Sequence, residues 1–305
     1  MNVALVDIDS HNFPNLVLMK LAAWHIRQGD NVELVQPSDI LLGDNLFAPY
    51  DKVYGACVFT QNARLAQRIE EAGGYVAGSG TGKPDVLPDD IEHIYPYYPL
   101  YGITDTAYGF LTRGCPRKCP FCIVSEKEGT RSRKSVITDL SEWWNGQKNI
   151  KLLDPNILAC KEHEELLEQL AESGAWVDFT QGVDVRLLTE RNMKIINRIK
   201  TKRIHFAWDN PKDETVKKKL LFFSEASRVK DYRRKCVYVL TNYWSSHEED
   251  LGRVYWLRDN GFNPYVMIYN KENAPEETRY LQRWVNNKKV FRTITRFEEY
   301  DHTRG

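Results

Sequence analysis

The chain has 305 residues, 42% of them hydrophobic, and its 42 basic and 42 acidic side chains cancel. That composition excludes a disordered chain and allows one large or two ordinary cores, while balanced charge gives no global field toward nucleic acid or an anionic membrane. No apolar run is long enough to span a bilayer, the start lacks the basic flank of a signal peptide, and six cysteines do not make a disulfide framework, so a reducing, cytoplasmic setting is expected.

The first hundred residues alternate strand and helix patterns. Val3 to Asp9 reads as a buried strand, and Leu16 to Arg27 as a helix that Gly29 stops. Strands follow at Val32 to Val35, Lys52 to Phe59 and Tyr75 to Ala77, with a helix at Asn62 to Ala72. This α/β order predicts a Rossmann-like parallel sheet over residues 1–83, with ligands beyond the carboxyl ends of its strands. The loop there is Asp9-Ser10-His11-Asn12-Phe13-Pro14. It resembles the cobalamin-binding domain, in which Asp-x-His-x-x-Gly follows the first strand. The resemblance implies His11 as a cobalt ligand oriented by Asp9, or the two as a substrate loop. Pro14 stands where that family has glycine and denies the backbone freedom needed beside a large ring, so a domain that shares the fold without cobalamin is expected.

Gly78-Ser-Gly-Thr-Gly-Lys83-Pro84 is not a phosphate loop, because Ala77 stands at its first glycine and Pro84 at its Ser/Thr. A flexible turn is expected there, followed by a linker over 84–104. Tyr108 to Thr112 then reads as a strand leading into Gly114-Cys115-Pro-Arg-Lys-Cys119-Pro-Phe121-Cys122. Gly114 permits a close turn, and Pro116 and Pro120 stiffen the loop. It offers three thiols, whereas structural zinc and electron-transfer 4Fe-4S clusters take four protein ligands. A zinc site completed by a distant residue such as His163, or three unrelated cysteines, are the plainer readings. Cys57, Cys160 and Cys236 lie in or beside apolar stretches and read as core residues.

Cys-x3-Cys-x2-Cys with an aromatic residue before the last cysteine resembles the radical S-adenosylmethionine (SAM) superfamily. The resemblance implies that Cys115, Cys119 and Cys122 hold a 4Fe-4S cluster, that its open iron takes SAM, and that Phe121 packs near the adenine. It further implies reduced flavodoxin or ferredoxin as electron donor, and a 5'-deoxyadenosyl radical that abstracts hydrogen from an unidentified substrate. The basic residues Arg113, Arg117, Lys118, Arg131, Arg133 and Lys134 suit docking of an acidic donor or an anionic substrate.

The same resemblance implies a (β/α)6 partial TIM barrel over 105–270, and the patterns supply further strands at Ile150 to Leu153, Trp176 to Thr180, Arg203 to Trp208, Cys236 to Thr241 and Pro264 to Tyr269. Polar residues gather at their carboxyl ends: Asp154 and Asn156, then Gln181, Asp184 and Arg186, then Asp209 and Asn210, then Asn242. Where many members carry Gly-Gly-Glu for the SAM amino group, this chain has Leu153-Asp154-Pro155-Asn156. The resemblance therefore implies Asp154 or Asn156 in that role, Arg186 on the SAM carboxylate and Gln181 or Asp184 on the ribose. The extension 271–305 is expected to be helical and aromatic and to close the barrel. Two other functions stand beside this one, a cobalamin-dependent radical SAM methyltransferase and a non-enzymatic zinc- or cluster-binding module.

Overall fold

Two sheets organise the residues described by this computed structural model, which are 1–9, 13–41, 50–83, 86–128 and 138–303. His11, Arg131, Arg133 and Lys134 lie outside them. The first sheet has the order β2-β1-β3-β4, from β1 (Asn2–Asp7), β2 (Asn31–Val35), β3 (Lys52–Ala56) and β4 (Tyr75–Ala77), all paired in parallel. β1 is central and apolar on both sides. Val3 and Leu5 pack with Leu18 and Ala22 of α1 (Leu16–Arg27), while Ala4 and Val6 pack with the far side of the core. After the short α2 (Pro37–Leu41), α3 (Ala63–Glu71) supplies Ala66 and Ile69 to that side. α1 runs over the predicted residues because its ends are marked: the Asn15 side chain accepts from Leu18 N at the start, and Gly29 adopts φ +81° just past the end.

β1 and β3 stop short of their predicted ends. Ile8 and Cys57 are buried, but the chain beyond them is satisfied by a side chain instead of a ladder: Asp9 accepts from Val58 N, from Phe59 N at 3.3 Å and from Asn62 Nδ2 at 2.8 Å. The glycine-rich segment is a tight turn and not a flexible one. Gly78 N donates to Lys83 O at 3.1 Å and Thr81 Oγ1 to Gly78 O at 2.9 Å. Gly78 has φ +129°, and a Cβ there would lie 2.2 Å from Cys57 O. Gly78→Ala should therefore destabilise the protein by about 3 kcal/mol, read as a lower urea midpoint with an unchanged slope.

By compactness the chain divides into residues 1–109 with 138–148, and residues 110–137 with 149–305. The segment expected to be a linker belongs to the first of these. Its α4 (Asp89–Glu92) offers Glu92 to Lys20 of α1 at 2.8 Å, Tyr97 N donates to Met19 O at 3.0 Å, and Tyr101 OH to Asp7 at 2.8 Å. Ile91, Ile94 and Tyr98 are buried, so these aromatic and apolar residues are core and not spacer.

The second sheet has the order β10-β9-β8-β7-β6-β5, from β5 (Thr106–Gly109), β6 (Asn149–Leu152), β7 (Trp176–Phe179), β8 (Lys200–Ala207), β9 (Lys235–Thr241) and β10 (Asn263–Ile268). The pairs from β6 to β10 are parallel. Beyond α5 (Val124–Lys127), a helix follows each of β6 to β9: α6 (His163–Glu172), α7 (Glu190–Ile196), α8 (Glu214–Ala226) and α9 (His247–Asp259). The strand expected at Tyr108 to Thr112 ends at Gly109, because the amides of Leu111 and Thr112 are taken by the Asp154 carboxylate. The C-terminal helices are α10 (Glu276–Asn286) and α11 (Lys288–Thr293). Leu281, Trp284, Val285 and Phe291 pack with Val254 of α9 and Val266 of β10, extending the helix layer over the edge strand. No described helix is long and apolar enough to cross a membrane.

Candidate cluster-binding loop

The three clustered cysteines, all partly exposed, lie between β5 and α5. Little backbone structure shapes this loop; Cys122 N donates to Cys119 O at 3.0 Å. Side chains hold it. At its entrance Asp154, just past β6, accepts from Leu111 N at 2.8 Å, from Thr112 N at 2.7 Å and from Thr112 Oγ1 at 2.5 Å. Burial pushes this carboxyl up to about 7, against the pull of the three donors. Gly114 turns the chain at φ +78° and donates its N–H to Glu128 at 3.1 Å, and Arg113, lying 3.5 Å over the Phe110 ring, reaches the other oxygen of Glu128 at 3.4 Å. Further along, Arg117 pairs with Asp184 from the loop after β7. Asp184 also accepts from Arg186 Nε at 2.7 Å, and Arg186 reaches Asp213 at 3.1 Å, whose other oxygen caps α8. These carboxylates raise the Arg186 pKa against desolvation, which is the largest effect and lowers it.

At the sulfurs, Asn156 Nδ2 lies 3.4 Å from Cys115 Sγ, while its buried Oδ1 has no hydrogen-bond partner. Burial pushes the Cys119 thiol up, with Asp209, Cys122 and Cys115 adding to the shift and Arg186 opposing it. Asp209 is itself pushed by burial up to about 6, against the pull of Arg186 and Arg253. Phe121 meets Tyr243 and Trp244 edge-on, with ring centroids 5.5 and 5.4 Å away. That pair follows Asn242, which holds a left-handed φ of +60° and donates Nδ2 to Tyr269 O at 2.9 Å.

The predicted residues thus divide. Cys115, Cys119, Asn156, Asp184, Arg186 and Asp209 are linked by hydrogen bonds, ion pairs and charge, Phe121 packs with Tyr243 and Trp244, and Gln181 is exposed at the end of β7. Asp154 and Asp184 already have both oxygens engaged with protein donors, so each supports the loop where a ligand contact was expected. His163 does not approach the cysteines; its Nδ1 is 2.7 Å from Cys160 O. Asp9 braces the loop after β3, as described above. Cys57, Cys160 and Cys236 are buried, as expected. Among the described residues no three His, Cys, Asp or Glu side chains converge as a single metal ion would need.

Sequence patterns missed the residue that joins the ends of β8 and β9. Arg253 of α9, 3% exposed, donates Nη1 to Trp208 O and to Asp209 O at 3.0 Å, and Nη2 to Leu240 O at 2.8 Å, to Ser245 Oγ at 3.1 Å and to Asp250. Its i, i+3 spacing from Asp250 was the one local signal. Arg253→Ala takes the cation from a buried carboxylate, which keeps only its bond from Ser245, and a donor from each of three carbonyls, and should lower stability by about 3–5 kcal/mol, visible as a lower melting temperature.

No protein-family model matches the chain, and no curated protein matches it. Among solved structures, the crystal structure of Streptococcus suis SuiB bound to precursor peptide SuiA is similar at 10% identity and a TM-score of 0.41, over 91% of this chain and 60% of that one. This chain therefore spans 60% of the length of that protein, and a likeness so distant carries no argument about activity.

Proposed function

We propose that the protein is a radical SAM enzyme in which Cys115, Cys119 and Cys122 hold a 4Fe-4S cluster whose open iron binds SAM, with the second sheet and its helices as a (β/α)6 partial barrel. The observation that supports this most is Asn156. Its N–H faces the Cys115 sulfur while its buried carbonyl lacks a donor. An unsatisfied group of that kind costs about 1–3 kcal/mol, and the SAM amino group is a donor that would relieve it. Asn156 thus takes the amino-binding role, and Asp154 holds the loop. The donor set also fits: three partly exposed thiols, an amide donor at one of them and cationic Arg186 nearby suit an anionic iron-sulfur cluster with one outside ligand.

A reduced cluster held by Cys115, Cys119 and Cys122 would supply one electron for reductive cleavage of SAM to methionine and a 5'-deoxyadenosyl radical able to take a hydrogen atom from substrate. The chain's own residues place and shield. Asp154, Glu128 and Asp184 hold the loop at three points, so the thiols keep their positions with or without metal. Phe121, Tyr243 and Trp244 offer an aromatic surface to the adenine, Gln181 faces the ribose, and Arg186 keeps a positive charge for the SAM carboxylate. Exposed Lys118 suits docking of reduced flavodoxin or ferredoxin in the cytoplasm. The first sheet is read as a cobalamin-type domain that binds no corrinoid.

Anaerobic reconstitution tests this. The protein should take up iron and labile sulfide in equal amounts, and with dithionite and SAM it should release 5'-deoxyadenosine. Zinc without sulfide, or an iron-sulfur protein that leaves SAM intact, would overturn the reading.

A further inference from the structure

The second sheet has a face that its helices do not cover. Phe206 of β8 meets Phe223 of α8 at 4.7 Å, and Val266 of β10 packs among residues of α9 and α10. Alternate residues point the other way. There His205 stacks on Tyr238 of β9 at 5.3 Å and 11°, Tyr238 meets Tyr265 of β10 edge-on at 5.8 Å, and Asp178 of β7 lies 3.9 Å from His205 Nδ1. On β10, Tyr265 and Met267 are 41% and 47% exposed.

Two observations on this face have no explanation in folding. Asp178 is 9% exposed, yet its Oδ1 has no hydrogen-bond partner, an expensive omission for a carboxylate. The β7–β8 ladder also shifts register between Val177 and Asp178, an irregularity of the kind that re-aims a side chain beside a site. His205 lies 2.8 Å from Phe179 O, so Nδ1 is the nitrogen that carries hydrogen, and burial lowers its pKa and keeps the ring neutral. The row therefore presents hydrogen-bond acceptors set among flat rings.

We propose that this face binds the substrate, and that the substrate is a flat heterocycle bearing a ring N–H beside an amino group, the edge that guanine presents. Two parallel donors match the two oxygens of Asp178, and the heterocycle lies against the His205 ring, which Tyr238 and Tyr265 back from the far side. A guanidinium offers the same donor pair. Lys151 and Arg203 are the register neighbours of Asp178 on either side, however, and they disfavour a third cation there. Only the chemistry done on the bound ring rests on the radical SAM reading; the binding does not.

The test is calorimetric titration of the full chain with guanosine, 1-methylguanosine, inosine and methylguanidine. Guanosine should bind saturably. 1-Methylguanosine, blocked at the ring nitrogen, and inosine, lacking the amine, should each bind about tenfold or more weaker, as should guanosine to Asp178→Asn. Absence of saturable guanosine binding, equal binding of the three nucleosides, unchanged affinity in Asp178→Asn or tighter binding of methylguanidine would each overturn the proposal. If the variant does not fold, the nucleoside series on the unaltered protein decides. Neither cluster nor SAM is needed, so this result stands apart from the iron, sulfide and 5'-deoxyadenosine measurements.

Discussion

Cys119→Ala should reduce 5'-deoxyadenosine release to background, a loss of about a thousandfold or more, and the reconstituted variant should lack its iron-sulfur absorbance. Burial pushes the middle thiol of the loop up, and the neighbouring Asp209, Cys122 and Cys115 add to the shift. In the proposed cluster, metal binding would have to offset that shift. Removing the sulfur would leave that cluster two protein ligands for three irons. The cysteine is partly exposed, so metal-free Cys119→Ala should melt within about 1 kcal/mol of the parent protein. Loss of activity with intact stability separates a ligand from a packing residue; a variant that still cleaves SAM would remove the thiol from the mechanism.

Asp154→Ala should do the opposite and damage the scaffold first. It strands two buried amides and one hydroxyl, those of Leu111 and Thr112, at about 1–3 kcal/mol each. A total of about 4 kcal/mol is a large share of ordinary domain stability and corresponds to a fall of about 10 °C in melting temperature. Cluster uptake should fall with it. The pH dependence has a definite sign. An acid held up to about 7 in the fold, against an ordinary value near 3.8, prefers its proton in the folded state. Its contribution to stability is complete below about pH 4 and is lost as pH rises through about 7. Metal-free parent protein should therefore lose stability across that window more steeply than Asp154→Asn. Parallel slopes for the two would show that the carboxyl does not titrate there.

Much of the architecture was legible in the order of apolar segments. The period of Leu16 to Arg27, bracketed by Asn15 and Gly29, leaves one way to form a helix, and the alternation beyond residue 149 yields the parallel strands. Strand ends were harder, because Ile8 and Cys57 are as apolar as strand residues and as buried, and only a contact from Asp9 to Val58 and Phe59 tells loop from ladder. At the candidate site the same limit appears as exchanged roles. Asp154 and Asn156 sit two residues apart after one strand and read alike, yet the first faces backbone amides while the second keeps an unpaired carbonyl beside a sulfur. Arg253 had no comparable signal, since its partners Trp208 and Leu240 lie 45 and 13 residues away and offer only their carbonyls.

The anchoring of the cysteine loop by Asp154 bears on the order of events during biosynthesis. The aspartate follows the amides it holds by 43 and 42 residues. The cysteines are therefore synthesised before the side chain that shapes their loop. The loop that carries the thiols thus takes its final shape only after the strand leading to Asp154 has been made and has docked, so the proposed cluster would be loaded late, and until then the unfinished chain carries three thiols open to oxidation.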